Sequence, residues 1–552
     1  MTEMTLLGDE AVALGAIHAG LTAAYGYPGT PSTEIMEFLQ ERYAAGLGPL
    51  AQWCTNEKTA LEAALGVSFA GRRSLVTMKH VGLNVASDPF VNGALVGIKG
   101  GLVIAVADDP GMHSSQNEQD SRFYASFALV PCMEPRNQQE AYEMTREAFE
   151  VSERFHVPVL LRLVTRLSHS RAPVSPRQEQ AENPLEKTND RSEWLLLPAF
   201  ARRRYQSLLD RQGALIQWSE SHLVNRLITE GRDVRRVVIT TGLGGNYFEE
   251  NLEDYRTVSQ LPVHLHIGVY PLPVDLIRRA CEKAADVLVI EEGQPFLERY
   301  LRGLLPLPLR IRGKLDNTLP PTGELDPDVV RAALGLAPRP VLQVSIPPVP
   351  GRPPQLCTGC PHGDSYATLQ KAVEGLESVA ITADIGCYAL GATPPYNVPE
   401  TVVCMGASVN MAKGASDAGI KHCIGVIGDS TFLHSGITPL IDVVAHQTPM
   451  TLVILDNSIV AMTGCQDTML PSEQLVSLIR GIGIDPEHLI VLETKRALIE
   501  ENARRLRKEI EYPGPSVVIF KRECLEALKK RKKQEEARAR GIPACDERAP
   551  GQ

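Results

Sequence analysis

Residues 424–466 read IGVIGDSTFLHSGITPLIDVVAHQTPMTLVILDNSIVAMTGCQ, and this stretch decides the fold. The apolar run Ile424-Gly425-Val426-Ile427 is that of a buried strand. It enters Gly428-Asp429-Ser430, a turn able to present one carboxylate. Thr438–His446 then carries Leu440, Ile441, Val443 and Val444 as the buried side of a helix. A second apolar run, Met450–Leu455, ends in Asp456-Asn457. Two parallel strands joined by a helix end on one edge of a sheet, so Asp429 and Asn457 arrive at the same place. Open α/β sheets bind ligands at that carboxyl edge. An Asp oxygen, an Asn oxygen and a loop carbonyl form a hard donor set that suits Mg²⁺ shared with substrate phosphates. An ordinary βαβ unit with a turn aspartate and an asparagine cap would use the same letters. The paired strand ends and the exit Ala461-Met462-Thr463-Gly464 favour the site.

The rest of the composition fits an enzyme of several domains. A chain of 552 residues is too long for one core. Hydrophobic residues make up 43% and charged residues 22%, as in globular proteins. A net charge of −10 excludes a general nucleic-acid binder. No apolar run is long enough to span a bilayer, so no membrane role is expected. The amino terminus has no basic segment followed by a cleavage site, which predicts a cytoplasmic protein. Eleven cysteines are scattered rather than set at disulfide-scaffold spacings, which points to metal ligation or buried thiols.

Taken in order, the chain predicts an α/β protein of several doubly wound parallel-sheet domains. We expect boundaries at 1–175, 176–230 (linker and helical segment), 231–340, 341–525 and 526–552 (basic helix and tail). Met4–Arg42 should open with a helix capped near Gly8-Asp9. The loop Tyr25–Thr33 is punctuated by Gly and Pro, and its Ser32 or Thr33 can cap the next helix. Glu57 falls in the first turn of a helix expected over Thr59–Ala70, where an acid is commonly a capping residue. Ser74–Met78 should be a strand, with Lys79–Val85 its polar exit, carrying His80 and Asn84. Gly101–Ala107 and Val157–Leu163 are further strands, and 172–195 reads as a linker. Arg235–Thr241 and Val287–Glu291 belong to a smaller α/β domain, and Leu305–Pro354 is a proline-rich bridge. In the last domain, Cys357-Thr358-Gly359-Cys360 is a CxxC turn. Gly386 and Cys387 follow a short strand, and Gly406, Ala407 and Ser408 form a tight loop opening a helix. Ser516–Phe520 is the final strand, followed by Cys524.

These segments carry a resemblance. YPGTPSTEI, TNEKTALEAALG, MKHVGLNVASDP, CTGCPHG, ADIGCYALG, CMGASVNMAKG, GDSTFLHSG and LDNSIVAMTG lie in this order between residues 25 and 466. Together they resemble the large subunit of the indolepyruvate:ferredoxin oxidoreductases, within the thiamine-diphosphate-dependent 2-oxoacid:ferredoxin oxidoreductases. The resemblance implies a pyrimidine-binding domain first, a transketolase-carboxyl-terminal-like domain next and a diphosphate-binding domain last. It carries over Glu57 as the catalytic partner of the cofactor's aminopyrimidine. It makes Asp429, Asn457 and the Ile459 carbonyl the Mg²⁺ ligands, with Gly386, Gly406, Ala407, Ser408, Gly428 and Ser430 around the diphosphate. Thr30, with His80 and Asn84, falls to the substrate. The implied reaction is oxidative decarboxylation of an aryl 2-oxoacid to the acyl-CoA. The implied partners are a smaller β subunit, in a heterotetramer, and ferredoxin or another acceptor.

The cysteines bear on the electrons. Cys357, Cys360 and Cys387 are one short of a Cys₄ site for a [4Fe–4S] cluster. Related oxidoreductases suggest Cys524 as the fourth, with Cys404 and Cys465 as rivals. Structural zinc or plain buried thiols remain open for the same CxxC. Family members usually continue into a ferredoxin-like module with two further cysteine clusters, and this sequence shows only Cys545 in that region. A non-oxidative thiamine decarboxylase or lyase would need the same Glu57, Asp429 and Asn457. A catalytically silent scaffold subunit, binding cofactor or partner only, would have no need of an intact Glu57.

Overall fold

The computed structural model describes residues 3–187, 191–305, 309–340, 355–529 and 532. Two compact units account for them, one within Met1–Val344 and one within Ser345–Gln552.

The first unit contains two large sheets, besides the two-stranded pair of Met4–Leu7 with Arg171–Val174. Seven strands run in the order Val269–Tyr270, Cys132–Met133, Val159–Val164, Leu102–Asp108, Ser74–Lys79, Ala23–Gly26, Leu50–Trp53. All pairings but the first are parallel. Leu102–Asp108 and Val159–Val164 are buried along their whole length, which is why they read as unbroken apolar runs. The second sheet orders Arg310–Arg312, Asp286–Ile290, Asp233–Thr241, Pro262–Ile267 and Arg226–Ile228, and only the last joins antiparallel. One hydrophobic core runs through both sheets.

A buried ionic network joins them. Arg162 contacts Asp108 at 2.6 Å and Glu134 at 2.5 Å, and Arg122 contacts Asp120 at 2.5 Å and Glu291 at 3.1 Å. Charges this far from water persist only when paired.

Three local expectations are revised. Met4–Leu7 is a strand pairing antiparallel with Arg171–Val174, so the first helix starts at Gly8. Lys79 ends its strand and His80–Val85 is a short helix rather than an irregular exit. The expected linker is also no free spacer. Gln180 N donates to the His18 carbonyl at 3.0 Å and Glu186 N to the Ala70 carbonyl at 3.0 Å. Asn183 donates to Glu153 at 2.7 Å, so this polar segment is strapped to the first sheet's helices by hydrogen bonds. The helix Pro198–Ser221 follows it.

The second unit has one six-stranded sheet. Its order is Thr401–Val402, Val379–Ala383, His422–Gly428, Met450–Asp456, Pro515–Lys521, Leu489–Glu493, and every pairing is parallel. Helices on both faces make two separate apolar clusters. The basic run continues from the helical turn at 525–529, but its residues from 530 onward, 532 excepted, lie outside the described residues, as do Cys545 and residues 341–354 of the proline-rich bridge.

Candidate functional site

In the second unit, Gly428 is paired in register with Leu455. The next residues, Asp429 and Asp456, therefore emerge side by side, and both are buried. Asp429 accepts from Ser430 N at 2.8 Å and from Ser458 N at 2.7 Å. Asp456 Oδ1 accepts from Ser458 N and Oγ, each at 3.2 Å. Asp456 Oδ2 and Ser430 Oγ are buried without a hydrogen-bond partner among the described residues. Burial, and then the neighbouring Asp456, push the Asp429 carboxyl up to about 8. Two buried acids facing each other call for a cation, and a small divalent ion bound by oxygen fits them.

Asn457 completes this edge. Its Oδ1 accepts from Ile459 N at 3.2 Å, and its Nδ2 lies 3.3 Å from His362 Nε2. Burial drives the His362 imidazole down to about 4, so it is neutral and can accept from the amide. His362 thus fixes which way the Asn457 amide points.

The glycine loop is shaped from inside the unit. Asp384, just beyond the strand Val379–Ala383, accepts from Gly406 N at 3.1 Å, Ser408 N at 3.3 Å and Ser408 Oγ at 2.6 Å. Tyr388 also donates to Asp384. Ala407 N donates to the Cys404 carbonyl at 3.1 Å. The donors of Gly406, Ala407 and Ser408 are therefore engaged within the protein. Gly406 needs its left-handed backbone, at φ 84°, and a Cβ there would lie 2.5 Å from the Ser435 carbonyl oxygen. The Tyr388 ring packs against Gly386 and Gly428, and at Gly428 a Cβ would sit 2.7 Å from it.

The cysteines gather close by. Cys360 N donates to the Cys357 carbonyl at 3.0 Å, closing the CxxC turn. A Cβ on Gly359, inside that turn, would lie 3.4 Å from the Leu525 side chain, which brings the residue after Cys524 to the turn. Cys524 N donates to the Asn457 carbonyl at 3.4 Å. Burial, then Cys360, Cys524, Cys357 and Cys465, raise the Cys387 thiol to about 12. Cys404 is charge-coupled to Asp384 instead. Among the described residues no three His, Cys, Asp or Glu side chains already stand as a metal cage. Four thiols on neighbouring loops are donors of the kind that either an iron–sulfur cluster or zinc takes.

In the first unit, the helix Glu57–Phe69 is capped by Asn56, whose side chain accepts from Thr59 N at 2.9 Å. Its first residue, Glu57, is 5% exposed. Gly82 makes room for it, because a Cβ there would lie 2.6 Å from Glu57 Oε1. The carbonyl of Thr30 accepts from Ser114 Oγ at 3.1 Å, and Lys79 Nζ donates to the Ser114 carbonyl at 3.2 Å. Lys79 lies within the charge environment of Glu57 and Asp109. His80 is buried with Nε2 3.1 Å from the Asn117 carbonyl, and Asn84 accepts from Tyr124 OH at 2.6 Å. Glu57, Thr30 and Lys79 thus stand on one edge of the first sheet, while His80 is tied to the Asn117 loop and Asn84 to the helix Arg122–Ala128.

Residues 14–201 match the family described as pyruvate flavodoxin/ferredoxin oxidoreductase, thiamine diphosphate-binding. Residues 384–520 match the carboxyl-terminal thiamine-pyrophosphate-binding domain of thiamine pyrophosphate enzymes. The indolepyruvate oxidoreductase subunit IorA of Methanothermobacter thermautotrophicus is 39% identical over 95% of this chain and 87% of its own length. That of Archaeoglobus fulgidus is 36% identical over 94% and 86%. The chain belongs to the IorA family of indolepyruvate oxidoreductase subunits. As an IorA-family chain it is a thiamine-diphosphate-dependent 2-oxoacid oxidoreductase subunit. The solved 2-oxoglutarate:ferredoxin oxidoreductase of Magnetococcus marinus shares the fold, with a TM-score of 0.50 over 60% of this chain and 65% of that one, at 15% identity. Among the described residues no helix is long and apolar enough to cross a membrane.

Sequence reasoning missed Asp456, His362, Asp384 and Lys79. Asp456 was recoverable, because strands of matched length ending in GD and LD place two acids together. His362, Asp384 and Lys79 acquire their partners only through tertiary contacts.

Proposed function

We propose that this chain is the thiamine-binding subunit of an enzyme that oxidatively decarboxylates an aryl 2-oxoacid, of the indolepyruvate type, to its acyl-CoA. The balance is RCOCOO⁻ + CoA-SH → RCO-S-CoA + CO₂ + H⁺ + 2e⁻, with the electrons leaving singly to ferredoxin or an equivalent acceptor. The observation that carries the reading is the buried Asp429–Asp456 pair beside Asn457, in a chain 39% identical to an indolepyruvate oxidoreductase subunit.

Asp429, Asn457 and the Ile459 carbonyl hold Mg²⁺ on the diphosphate, and Asp456 adds the second negative charge. Gly428 and Ser430 line the same turn, and Gly386, Gly406, Ala407 and Ser408 shape the cradle. Glu57 hydrogen-bonds the aminopyrimidine and holds the proton that activates the ring. Thr30 meets the substrate carboxylate, and His80 and Asn84 support the loops around it. Thiamine diphosphate supplies the electron sink into which the carboxylate bond breaks. Cys357, Cys360, Cys387 and Cys524 hold a [4Fe–4S] cluster, which supplies one-electron acceptance. A smaller subunit completes the enzyme, in a heterotetramer. The ten free cysteines among the described residues support a reducing, cytoplasmic setting.

The test is anaerobic turnover of indolepyruvate by the two-subunit enzyme with Mg²⁺, thiamine diphosphate and CoA. Acyl-CoA formed with two reduced ferredoxins per CO₂ is expected. Aldehyde released without any acceptor would make the enzyme a decarboxylase.

A further inference from the structure

We propose that Lys79 is the cation that binds the substrate carboxylate and so restricts the enzyme to 2-oxoacids. This rests on the thiamine reading above.

Lys79 is the last residue of the strand Ser74–Lys79, at the edge that also carries Thr30 and Glu57. Its stem lies on the Thr30 loop, because a Cβ on Gly29 would be 3.1 Å from Lys79 Cδ. Its ammonium donates to the Ser114 carbonyl, and Ser114 Oγ reaches back to the Thr30 carbonyl at 3.1 Å. One residue therefore tethers both Thr30 and Lys79.

Carboxylates act on the ammonium only through space. Among the described residues it forms no ion pair. Asp109 and Glu57 both act on it through space without an ion pair, and the Asp109 oxygens are engaged elsewhere. They accept from Ser114 N at 2.9 Å, Ser115 Oγ at 2.7 Å and Thr165 Oγ1 at 2.7 Å. Arg122 and Arg162, the buried cations of the ionic network, are consumed by Asp120, Glu291, Asp108 and Glu134. A half-buried ammonium with only a carbonyl acceptor is stabilised by an incoming carboxylate far more than by a neutral group.

The chemistry requires the carboxylate to be there. In a 2-oxoacid the carboxylate is bonded to the carbon that reacts, so a cation that holds it must lie beside the reacting carbon. The carboxylate must also be released from its cation as CO₂ leaves. One long, flexible ammonium, unlike a bidentate guanidinium, permits this.

The experiment loads the two-subunit enzyme with Mg²⁺ and thiamine thiazolone diphosphate, an unreactive cofactor analogue. Calorimetry then compares phenylpyruvate with its neutral amide, phenylpyruvamide. Lys79→Met should weaken phenylpyruvate by roughly 10- to 100-fold, leave the amide unchanged and bind the analogue as wild type does. Lys79→Arg should restore part of the preference for the acid. Wild-type affinity for phenylpyruvate in Lys79→Met, or an equal loss for acid and amide, overturns this inference alone. Failure of the wild-type enzyme to bind the analogue overturns the thiamine reading and this inference with it.

Discussion

Gly82→Ala tests the role of Glu57 while leaving its carboxylate chemically unaltered. The added Cβ would stand 2.6 Å from Glu57 Oε1, 2.7 Å from Cγ and 2.8 Å from Cδ. Carbon and oxygen atoms settle at about 3.5 Å, so the carboxylate must yield by about 0.9 Å. Glu57 is buried at the first position of a capped helix, so the move swings its side chain rather than its backbone. A displacement near 1 Å at a reacting group costs roughly 10²-fold in rate. Exchange of the cofactor's C2 proton, followed by acid quench in deuterated water, should therefore slow roughly 10²-fold. The added methyl should cost about 1–3 kcal/mol of stability, read separately by thermal melting. Affinity for Mg²⁺ and thiamine diphosphate should change little, because the oxygens proposed to hold the metal belong to the second unit. In a Glu57→Gln background the further loss from Gly82→Ala should largely vanish, since the two changes act on one group. A folded Gly82→Ala enzyme that exchanges at the wild-type rate would refute the role given to Glu57.

Three other outcomes follow from the geometry. Burial and then Asp456 raise Asp429 to about 8, against about 3.9 in an unfolded chain, so it keeps its proton in the metal-free fold. The metal-free protein should then lose melting temperature as pH rises from about 4 to 8. Mg²⁺ should restore more of it at pH 8 than at pH 6, and Asp456→Asn should flatten both trends; a pH-independent Mg²⁺ effect argues against the pair. Arg162→Met leaves Asp108 and Glu134 without their partner and should cost about 3–5 kcal/mol in denaturant unfolding, and a loss below about 1 kcal/mol would mean the network adds no stability. Cys524→Ser should lose or convert the iron–sulfur cluster by iron assay and paramagnetic resonance, whereas Cys404→Ser should not. Zinc without iron in anaerobically prepared wild type would overturn the cluster.

The parallel sheets were legible because their strands are buried on both faces, as in Met450–Asp456 and Leu102–Asp108. An unbroken apolar run between turn residues can hardly be anything else in an alternating chain. Segments whose structure comes from contacts elsewhere were not legible. Residues 175–187 have no periodicity, yet they are fixed by Arg73, Glu153 and the His18 carbonyl. His80–Val85 contains a glycine and two valines, poor helix formers, and its helix lies against Glu57 through Gly82. Local composition cannot announce a conformation that a distant segment imposes.

The site was legible to the extent that one strand and its exit carry it. Asp429 and Asn457 were singled out because GDS and LDN each follow an apolar run. The same rule reaches further than it was applied. Asp384 follows the strand ending at Ala383, Lys79 and Asp108 close their own strands, and Asp456 ends Met450–Asp456. A parallel sheet buries every side chain until its carboxyl edge, so the first polar residue after each run is the first that can meet a ligand or brace a loop that does. Reading every such position, rather than only those inside a known motif, brings Asp384, Lys79, Asp108 and Asp456 forward together. The sequence still does not tell which of them face a ligand and which face each other. Asp384 turns inward to hold Ser408, and Asp108 pairs with Arg162. Lys79 donates only to a carbonyl, and that difference in partners is why it is the member of the set we propose for the substrate carboxylate.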